Sequence, residues 1–277
     1  MIYRGMDRAT LDAAYNNTAA VGIPKRDAYV AGWSARSDVI RKKTGNARID
    51  VRYGGTPRER LDVFPCGRPQ APTLVYIHGG YWQFNDKEPY AFLGESLLAG
   101  GFNLVLVEYT LAPEARMDRI VAEIRRSVAW VIDHAKELDA DPARVFVSGH
   151  SAGGHLTAEA MQEPRLAGGI AISGLFDLEP IRLCYLNDKL GLDPAEAQRN
   201  SPIHHLPKRA APLVVAVGLD ELPELIRQSK EYAEAWQKAG LKGHYLPLAG
   251  HEHFSILEEL ARPDGKIFGA LTTLAGI

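Results

Sequence analysis

Short runs of apolar residues recur along the chain from about residue 73 onward, and helix-like segments separate successive runs. Continuous apolar runs of three to five residues are typical of strands that are buried on both faces, as parallel strands covered by helices are. The pattern therefore predicts five inner strands, at Leu74–Ile77, Leu104–Val107, Val145–Val147, Gly169–Ile172 and Leu213–Val217.

The clearest helix lies between the second and third of these strands. Apolar residues recur there with i, i+3, i+4, i+7 spacing from Met117 to Ala135, while Arg125, Arg126 and Lys136 fall on the opposite face. Helices between consecutive strands imply right-handed crossovers and therefore a mostly parallel sheet.

Before the inner strands, two segments alternate in strand fashion around a Gly54–Gly55–Thr56–Pro57 turn. Arg48–Tyr53 and Glu59–Phe64 are thus predicted to form an antiparallel hairpin at one edge of the sheet. The expected fold class is α/β, with a mostly parallel central sheet and helices on both faces.

Two further segments complete one expected domain, 1–277. Residues 1–45 are predicted to be helical and polar, with a few aromatic anchors. Residues 177–207 contain four prolines and break the strand–helix rhythm. We expect this second segment to form a cap-like insertion over the carboxyl edge of the sheet, where open α/β sheets bind their ligands.

The composition of the chain limits the kinds of molecule that the protein is expected to bind. The chain has 277 residues and a formal net charge of −2, which favours neither nucleic acid nor an anionic membrane surface. Cys66 and Cys184 lie far apart, in no metal-ligand spacing, and fit a reducing compartment. The N-terminus lacks the apolar core of a secretory signal, so we expect a cytoplasmic protein, for which a homodimer is a possible assembly.

The strongest chemical signal is the G-x-S-x-G motif Gly149–His150–Ser151–Ala152–Gly153. An apolar strand leads into it and helix-forming residues follow, which is the context of a nucleophile elbow. The tight turn exposes the serine hydroxyl, and the N-terminus of the following helix favours developing negative charge. The motif predicts a serine hydrolase of the α/β-hydrolase fold with Ser151 as nucleophile, whereas a phosphate-binding turn is the alternative that the motif alone would allow.

A second glycine-rich loop, His78–Gly79–Gly80–Tyr81–Trp82, directly follows the first inner strand. We expect the N–H groups of Gly79 or Gly80, with that of Ala152, to form an oxyanion hole. Tyr81 and Trp82 are candidates either for the wall of a substrate pocket or for simple core packing.

The acid and base of a triad follow the serine in the order that this fold requires. Asp220 and Glu221 come after the strand at Leu213–Val217, and His251 and His253 come after the next predicted strand, His244–Leu248. Local pattern does not decide between the members of either pair. The His-x-His spacing could also bind a metal, but no HExxH or HxHxDH run accompanies it, so we expect neither metal nor cofactor.

Together, His78–Gly79–Gly80–Tyr81–Trp82 and the stretch from Gly149 to Leu156 resemble the kynurenine formamidase (arylformamidase) family, close to the hormone-sensitive-lipase-like esterases. The resemblance extends over about residues 15–260. It implies that the acid is Glu221, which precedes Arg227–Gln228–Ser229 at nearly the family's spacing, and that the base is His253, which precedes Phe254. Leu225 replaces an aromatic residue of the family pattern, and Gly154 stands where alanine is common.

The resemblance implies an amidase that cleaves a small acyl amide, an aryl formamide foremost, through an acyl-enzyme on Ser151. The alternatives are a broader short-acyl carboxylesterase or carbamate hydrolase and, more remotely, a non-catalytic binding protein built on the hydrolase fold. All of them would take a small-molecule ligand.

Overall fold

The computed structural model describes all 277 residues, and eight strands form its central sheet. Each of the five predicted inner strands is present and extends beyond its apolar run, β5 by the most. The strands are β1 (Arg48–Arg52), β2 (Arg60–Phe64), β3 (Ala71–Ile77), β4 (Asn103–Val107), β5 (Ala140–His150), β6 (Gly168–Ile172), β7 (Leu213–Gly218) and β8 (Gly243–Leu248).

The strand order across the sheet is β1-β2-β4-β3-β5-β6-β7-β8. β1 pairs with β2 and β2 with β4 in antiparallel fashion, and every other pair is parallel. The predicted mostly parallel sheet with an antiparallel hairpin at one edge is thus confirmed. β5, which leads to Ser151, lies inside the sheet between β3 and β6, so its carboxyl end opens at the centre of the sheet edge.

Twelve α-helices surround the sheet. They are α1 (Arg8–Ala14), α2 (Asn17–Val21), α3 (Ile23–Lys43), α4 (Gly94–Leu97), α5 (Met117–Asp133), α6 (Ala152–Ala160), α7 (Glu179–Leu183), α8 (Asn187–Leu190), α9 (Pro194–Arg199), α10 (Pro223–Lys238), α11 (Glu258–Ala261) and α12 (Lys266–Ala275). No helix combines the length and the apolar character needed to cross a membrane.

Alternation along β3 divides the buried core between the two faces of the sheet. Val75 and Ile77 belong to a cluster that includes the apolar faces of α5 and α10, whereas Leu74 and Tyr76 belong to a cluster that includes residues of α3, α11 and α12. Successive side chains of a strand point to opposite faces, so helices cover both faces of the sheet, as the continuous apolar runs predict.

Helix α3 is anchored to the second of these clusters. Trp33 of α3 stacks on Phe92 with ring centroids 5.4 Å apart, and its indole Nε1 donates a hydrogen bond to Glu258. Arg36, one turn later, forms ion pairs with both Glu95 and Glu258. These contacts hold α3 at the edge of the sheet where Ser151 lies.

Candidate active site

Ser151 lies in a sharp turn between β5 and α6. Its backbone has φ 58° and ψ −118°, a combination that L-residues rarely adopt and that is typical of a constrained functional turn. The Ser151 N–H donates to the carbonyl oxygen of Ile172 on the neighbouring β6 strand, which fixes the turn to the sheet. A Cβ on Gly153 would lie 2.0 Å from the carbonyl oxygen of Ile77, so only glycine allows α6 to pass this close to β3.

The His78–Gly79–Gly80 loop runs beside this turn. A Cβ on Gly79 would lie 2.7 Å from the carbonyl oxygen of His150 and 3.2 Å from Cβ of Ser151, so the loop backbone directly contacts the elbow. The N–H groups of Gly79 and Gly80 are absent from the hydrogen bonds that the loops make. Ala152 is the first residue of α6, where an N–H has no acceptor within the helix. The N–H groups of Gly79, Gly80 and Ala152 are therefore the candidate backbone donors beside Ser151.

His78 supports this loop from behind. Its ring is buried and stacks on Tyr109, with centroids 4.4 Å apart, while Nε2 lies 3.1 Å from Oε1 of Glu108. Burial acts to raise the pKa of Glu108, but the hydrogen bond and charge of His78, together with the charge of Arg58, outweigh burial and hold that pKa below its usual value. These contacts hold the His78 ring in the core behind the loop.

Glu221 and His253 meet at the ends of β7 and β8. The Nδ1 atom of His253 lies 2.6 Å from Oε2 of Glu221, and both residues are buried. The other carboxylate oxygen of Glu221 accepts from Ser173 Oγ at 2.6 Å and from the Gly218 N–H at 2.8 Å. Three donors thus hold the carboxylate in one orientation, and it in turn orients the imidazole.

The alternative acid and base point elsewhere. Asp220 is exposed, and only its backbone N–H contacts this region, by donating to the carbonyl oxygen of His251. The imidazole Nε2 of His251 lies 3.3 Å from Glu259. Of the two candidate acids and the two candidate bases, the structure brings together Glu221 and His253. Asp220 and His251 point away from them.

His150, the residue before Ser151, is buried beside the histidine of this pair. The ring centroids of His150 and His253 are 4.5 Å apart, and Nε2 of His150 has no hydrogen-bond partner. Burial, and secondly the neighbouring His253, lower the pKa of His150 well below its usual value. Burial thus favours the neutral form of the His150 imidazole, and sequence reasoning did not include this residue in the site.

A pocket of about 460 Å³ opens at Ser151 and His253. One side, here named the sheet wall, consists of Gly79, Gly80, His150, Ser151 and His253. The opposite side, here named the helical wall, comes from the N-terminal helices and consists of Asn16, Asn17, Thr18, Arg26, Val30 and Trp33. Tyr81 lies between the two walls, and only Tyr185 and Leu186 come from the predicted cap-like insertion at 177–207.

One sequence prediction about this pocket needs correction. Trp82, proposed as a pocket wall or core residue, does not line the cavity: its side chain is fully buried and its indole Nε1 donates to Nδ1 of His155. The predicted insertion at 177–207 does reach the pocket, through Tyr185 and Leu186, but residues 16–33 and 81–90 each contribute six lining residues. A polar helical segment with scattered aromatic residues carries little local signal of this role, and only the aromatic Trp33 hints at it.

Comparisons with known proteins agree with this architecture. Residues 61–163 match the BD-FAE family. The zebrafish (Danio rerio) kynurenine formamidase is 36% identical over 259 residues, which cover 82% of this chain and 87% of that protein. A solved structure of a candidate thioesterase from Silicibacter sp. TM1040 superposes with a TM-score of 0.86 at 30% identity, covering 95% of this chain and 98% of that one.

An esterase from Pyrobaculum calidifontis shares the fold, with a TM-score of 0.74 at 18% identity and with 100% and 99% of the two chains covered. The sheet topology and these relatives define a hydrolase of the α/β-hydrolase class. Within that class, the identity to the zebrafish enzyme is decisive, and the chain belongs to the kynurenine formamidase family.

Proposed function

We propose that the protein is an amidase that hydrolyses a small acyl amide, an aryl formamide foremost, with Ser151 as nucleophile, His253 as base and Glu221 as the acid that orients it. One observation carries this proposal: Ser151 and the hydrogen-bonded His253–Glu221 pair open onto the same pocket, beside backbone N–H groups that have no acceptor. The kynurenine formamidase relatives supply the expected acyl group.

The first half of the reaction forms an acyl-enzyme. Ser151 Oγ attacks the amide carbonyl carbon while Nε2 of His253 takes the hydroxyl proton, and Glu221 stabilises the resulting imidazolium through Nδ1–H. The carbonyl oxygen becomes an oxyanion, for which the N–H groups of Gly79, Gly80 and Ala152 are the donors; one such donor typically contributes about 10²–10³ in rate. His253 then protonates the leaving amine as its C–N bond breaks.

The second half reverses these roles with water. His253 takes a proton from the water that attacks the acyl carbon, and it returns that proton to Ser151 Oγ as the ester bond breaks. The carboxylic acid product is released and the free enzyme is restored. The scheme uses only side chains and backbone groups of this chain.

The test combines a serine variant with a series of acyl groups. Ser151→Ala should lower kcat for an aryl formamide by about 10⁴-fold or more. Ser148→Ala should keep most of the activity, because Ser148 is a buried residue of β5 whose hydroxyl donates to the carbonyl oxygen of Ile170 on β6. A fluorophosphonate probe should label the wild type at Ser151. Labelling of another residue, or hydrolysis by Ser151→Ala at the wild-type rate, would contradict the assignment.

Acyl length separates the amidase from its main alternative. We expect kcat/KM to fall steadily from formyl to acetyl to butyryl anilides and p-nitrophenyl esters, because the elbow and the loop of Gly79 and Gly80 lie in contact around the reacting group. Equal kcat/KM across the series would instead identify a broad short-acyl carboxylesterase, which the esterase relatives favour as the second candidate.

We further propose that residues 1–277 act as one domain, since the helical wall and the sheet wall face the same cavity. A cytoplasmic location fits the two free cysteines, Cys66 and Cys184. The proposed partner is a dissolved small molecule, without nucleic acid or membrane, and light scattering would test for a homodimer.

A further inference from the structure

The guanidinium of Arg58 lies outside the pocket, but it joins the hairpin to two segments that surround the loop after β3. Its Nε donates to the carbonyl oxygen of Tyr109 at 2.8 Å, and its Nη1 donates to Asp86 at 2.9 Å. Its Nη2 donates to the backbone carbonyl oxygen of Asn85 at 2.8 Å and to the carboxylate of Glu108. All three nitrogens are therefore bound to acceptors of the protein itself.

One chain of hydrogen bonds runs from Arg58 through a buried carboxylate and an imidazole to this loop. The carboxylate oxygen of Glu108 that accepts from Arg58, Oε1, also lies 3.1 Å from Nε2 of His78. On the other side of the ring, Nδ1 of His78 lies 2.8 Å from the carbonyl oxygen of Gly79. Since a carbonyl oxygen can only accept, Nδ1 is the donor. The first chain thus ends at the Gly79 carbonyl oxygen.

A second chain reaches the same oxygen through Asn85. Arg58 binds the backbone of Asn85, and the side-chain Nδ2 of Asn85 donates to the carbonyl oxygen of Gly79 at 3.2 Å. Asn85 has φ 76°, a left-handed conformation that asparagine adopts more readily than most residues. A Cβ on Gly80 would lie 2.8 Å from the same Nδ2 atom, so the amide packs directly against the loop. Two chains from one guanidinium therefore converge on one carbonyl oxygen.

The carbonyl of Gly79 and the N–H of Gly80 belong to one peptide group. This group is trans, so its C=O and N–H are coplanar and point in opposite directions. Donors that fix the direction of the C=O therefore also fix the direction of the N–H. The Gly80 N–H is one of the donors proposed for the oxyanion, and such a donor is most effective when its direction is set before the reaction begins.

We propose that Arg58 is a positioning residue for the oxyanion hole and that it acts through Glu108 and Asn85. By holding both, it fixes the Gly79–Gly80 peptide with the N–H directed at the oxyanion. The guanidinium is suited to this role because it donates in several fixed directions at once. The inference rests on the proposed acyl-enzyme reaction, but it concerns how the loop is held and not which acyl group is cleaved.

The main test replaces Arg58 and follows the hydrolysis of an uncharged aryl formamide. Arg58→Met should lower kcat about tenfold to a hundredfold, which is less than the loss of a whole oxyanion donor, and should change KM less than about threefold, because the lining of the pocket stays the same. Arg58→Lys should recover part of kcat, because an ammonium keeps the charge but not the fixed directions of the guanidinium. Arg52→Met removes an exposed arginine of the same hairpin and should match wild type. A kcat of Arg58→Met within about twofold of wild type, or an equal loss in Arg52→Met, overturns the proposal.

A variant of Asn85 decides the question if Arg58→Met does not fold. Asn85→Asp keeps the size of an exposed side chain but replaces the donor to Gly79 with a carboxylate, which cannot donate. Its kcat should fall about threefold to tenfold, the effect of one hydrogen bond. Because both side chains act on one carbonyl oxygen, the loss in the double variant Arg58→Lys/Asn85→Asp should be smaller than the product of the two single losses. Single losses that multiply, or a wild-type kcat in Asn85→Asp, contradict the proposal.

Phosphonylation by a fluorophosphonate examines the oxyanion hole without an amide, since its phosphoryl oxygen takes the place of the carbonyl oxygen. The rate constant for labelling of Ser151 should fall in Arg58→Met by a factor similar to the loss in kcat. If wild type hydrolyses p-nitrophenyl acetate but no aryl formamide, and Arg58→Met slows the ester reaction, the amidase proposal fails while the Arg58 proposal stands. If wild type cleaves the formamide and Arg58→Met is labelled at the wild-type rate, the reverse holds.

Discussion

The reacting pair and the helical wall differ in how their polar side chains are paired. On the sheet wall, His253 bonds Glu221, and the Glu221 carboxylate accepts two further hydrogen bonds, from Ser173 and Gly218. On the helical wall, Arg26 Nε and Asn17 Oδ1 are buried without partners. The reacting pair is thus fixed by the protein itself, whereas each of these two residues of the helical wall has one polar atom that is not hydrogen-bonded.

This difference separates reactivity from recognition. Groups that must keep one geometry during a reaction are oriented by surrounding hydrogen bonds before the substrate arrives. Groups that recognise a substrate need an unpaired donor or acceptor, which costs some stability when the pocket is empty. We therefore expect variants of the sheet wall to change kcat and variants of the helical wall to change KM.

The largest effect should come from the carboxylate on the sheet wall. Glu221→Gln keeps the size of the side chain but removes the charge that orients and stabilises the His253 imidazolium, so kcat should fall by about 10²–10⁴-fold. The matched control is Asp220→Asn, one residue earlier at an exposed position, and it should change kcat less than about threefold. Steady-state kinetics with an aryl formamide measure both, and comparable losses in the two variants would contradict the assignment of Glu221.

A smaller effect is expected where the helical wall meets the loop after β3. Tyr81→Phe removes a hydroxyl that bonds both Asn17 and the carbonyl oxygen of Tyr15. The loss of these buried bonds should lower the free energy of unfolding by about 1–3 kcal/mol and raise KM several-fold, with a smaller change in kcat. Urea unfolding and steady-state kinetics measure the two quantities.

Tyr245→Phe serves as the control for the removal of a hydroxyl. Tyr245 is half-buried on β8 and lies outside the pocket, so its unfolding free energy and KM should stay close to wild type. A fall in kcat without a rise in KM in Tyr81→Phe would show that the two walls are not separable at this contact.

The smallest effect concerns pH and the packing behind the elbow. His155 on α6 accepts from Trp82 Nε1 at Nδ1, and its Nε2 lies 2.8 Å from the carbonyl oxygen of Asn200. Burial is the largest cause that lowers the pKa of His155 below its usual value. The folded protein therefore binds fewer protons than the unfolded chain once the pH falls below about 6.5.

His155 should thus reduce stability as the pH falls below about 6.5, by up to about 1.4 kcal/mol per pH unit, and should have no such effect above it. Urea unfolding at pH 7.5, 6.0 and 5.0 should show a shallower decline in His155→Gln than in wild type. His244→Gln, at an exposed position of β8, should follow wild type. Equal slopes in His155→Gln and wild type would show that His155 is not linked to the acid decline.

The sheet and the nucleophile were predictable because their signals are local. A buried parallel strand requires a continuous apolar run, and the turn at Ser151 leaves no room for a side chain at Gly153, so both leave marks in adjacent residues. Spacing alone could not decide between Asp220 and Glu221. That outcome depends on which of the two neighbouring carboxylates turns inward to Ser173, a residue 48 positions earlier in the chain.

The pocket cover was not predictable in the same way. The helical wall depends on where α2 and α3 pack, and that placement follows from long-range contacts such as Trp33 with Phe92. Trp82 illustrates the same limit, because its orientation is set by His155, which lies 73 positions further along the chain. Aromatic residues near a glycine loop suit either a pocket or a core, and only packing distinguishes the two.

The attachment of α3 has a consequence for how enzymes of this kind diversify. Because Trp33 and Arg36 bind the helix to Glu258 and its neighbours, the short, partly exposed stretch from Thr18 to Gly22 can change in length or composition while the anchor persists. Such changes would redraw the entrance without removing the contacts of Tyr15 and Asn17 with Tyr81. Exchanging residues 18–22 between homologues is therefore a direct route to new substrate ranges on an unaltered reaction centre.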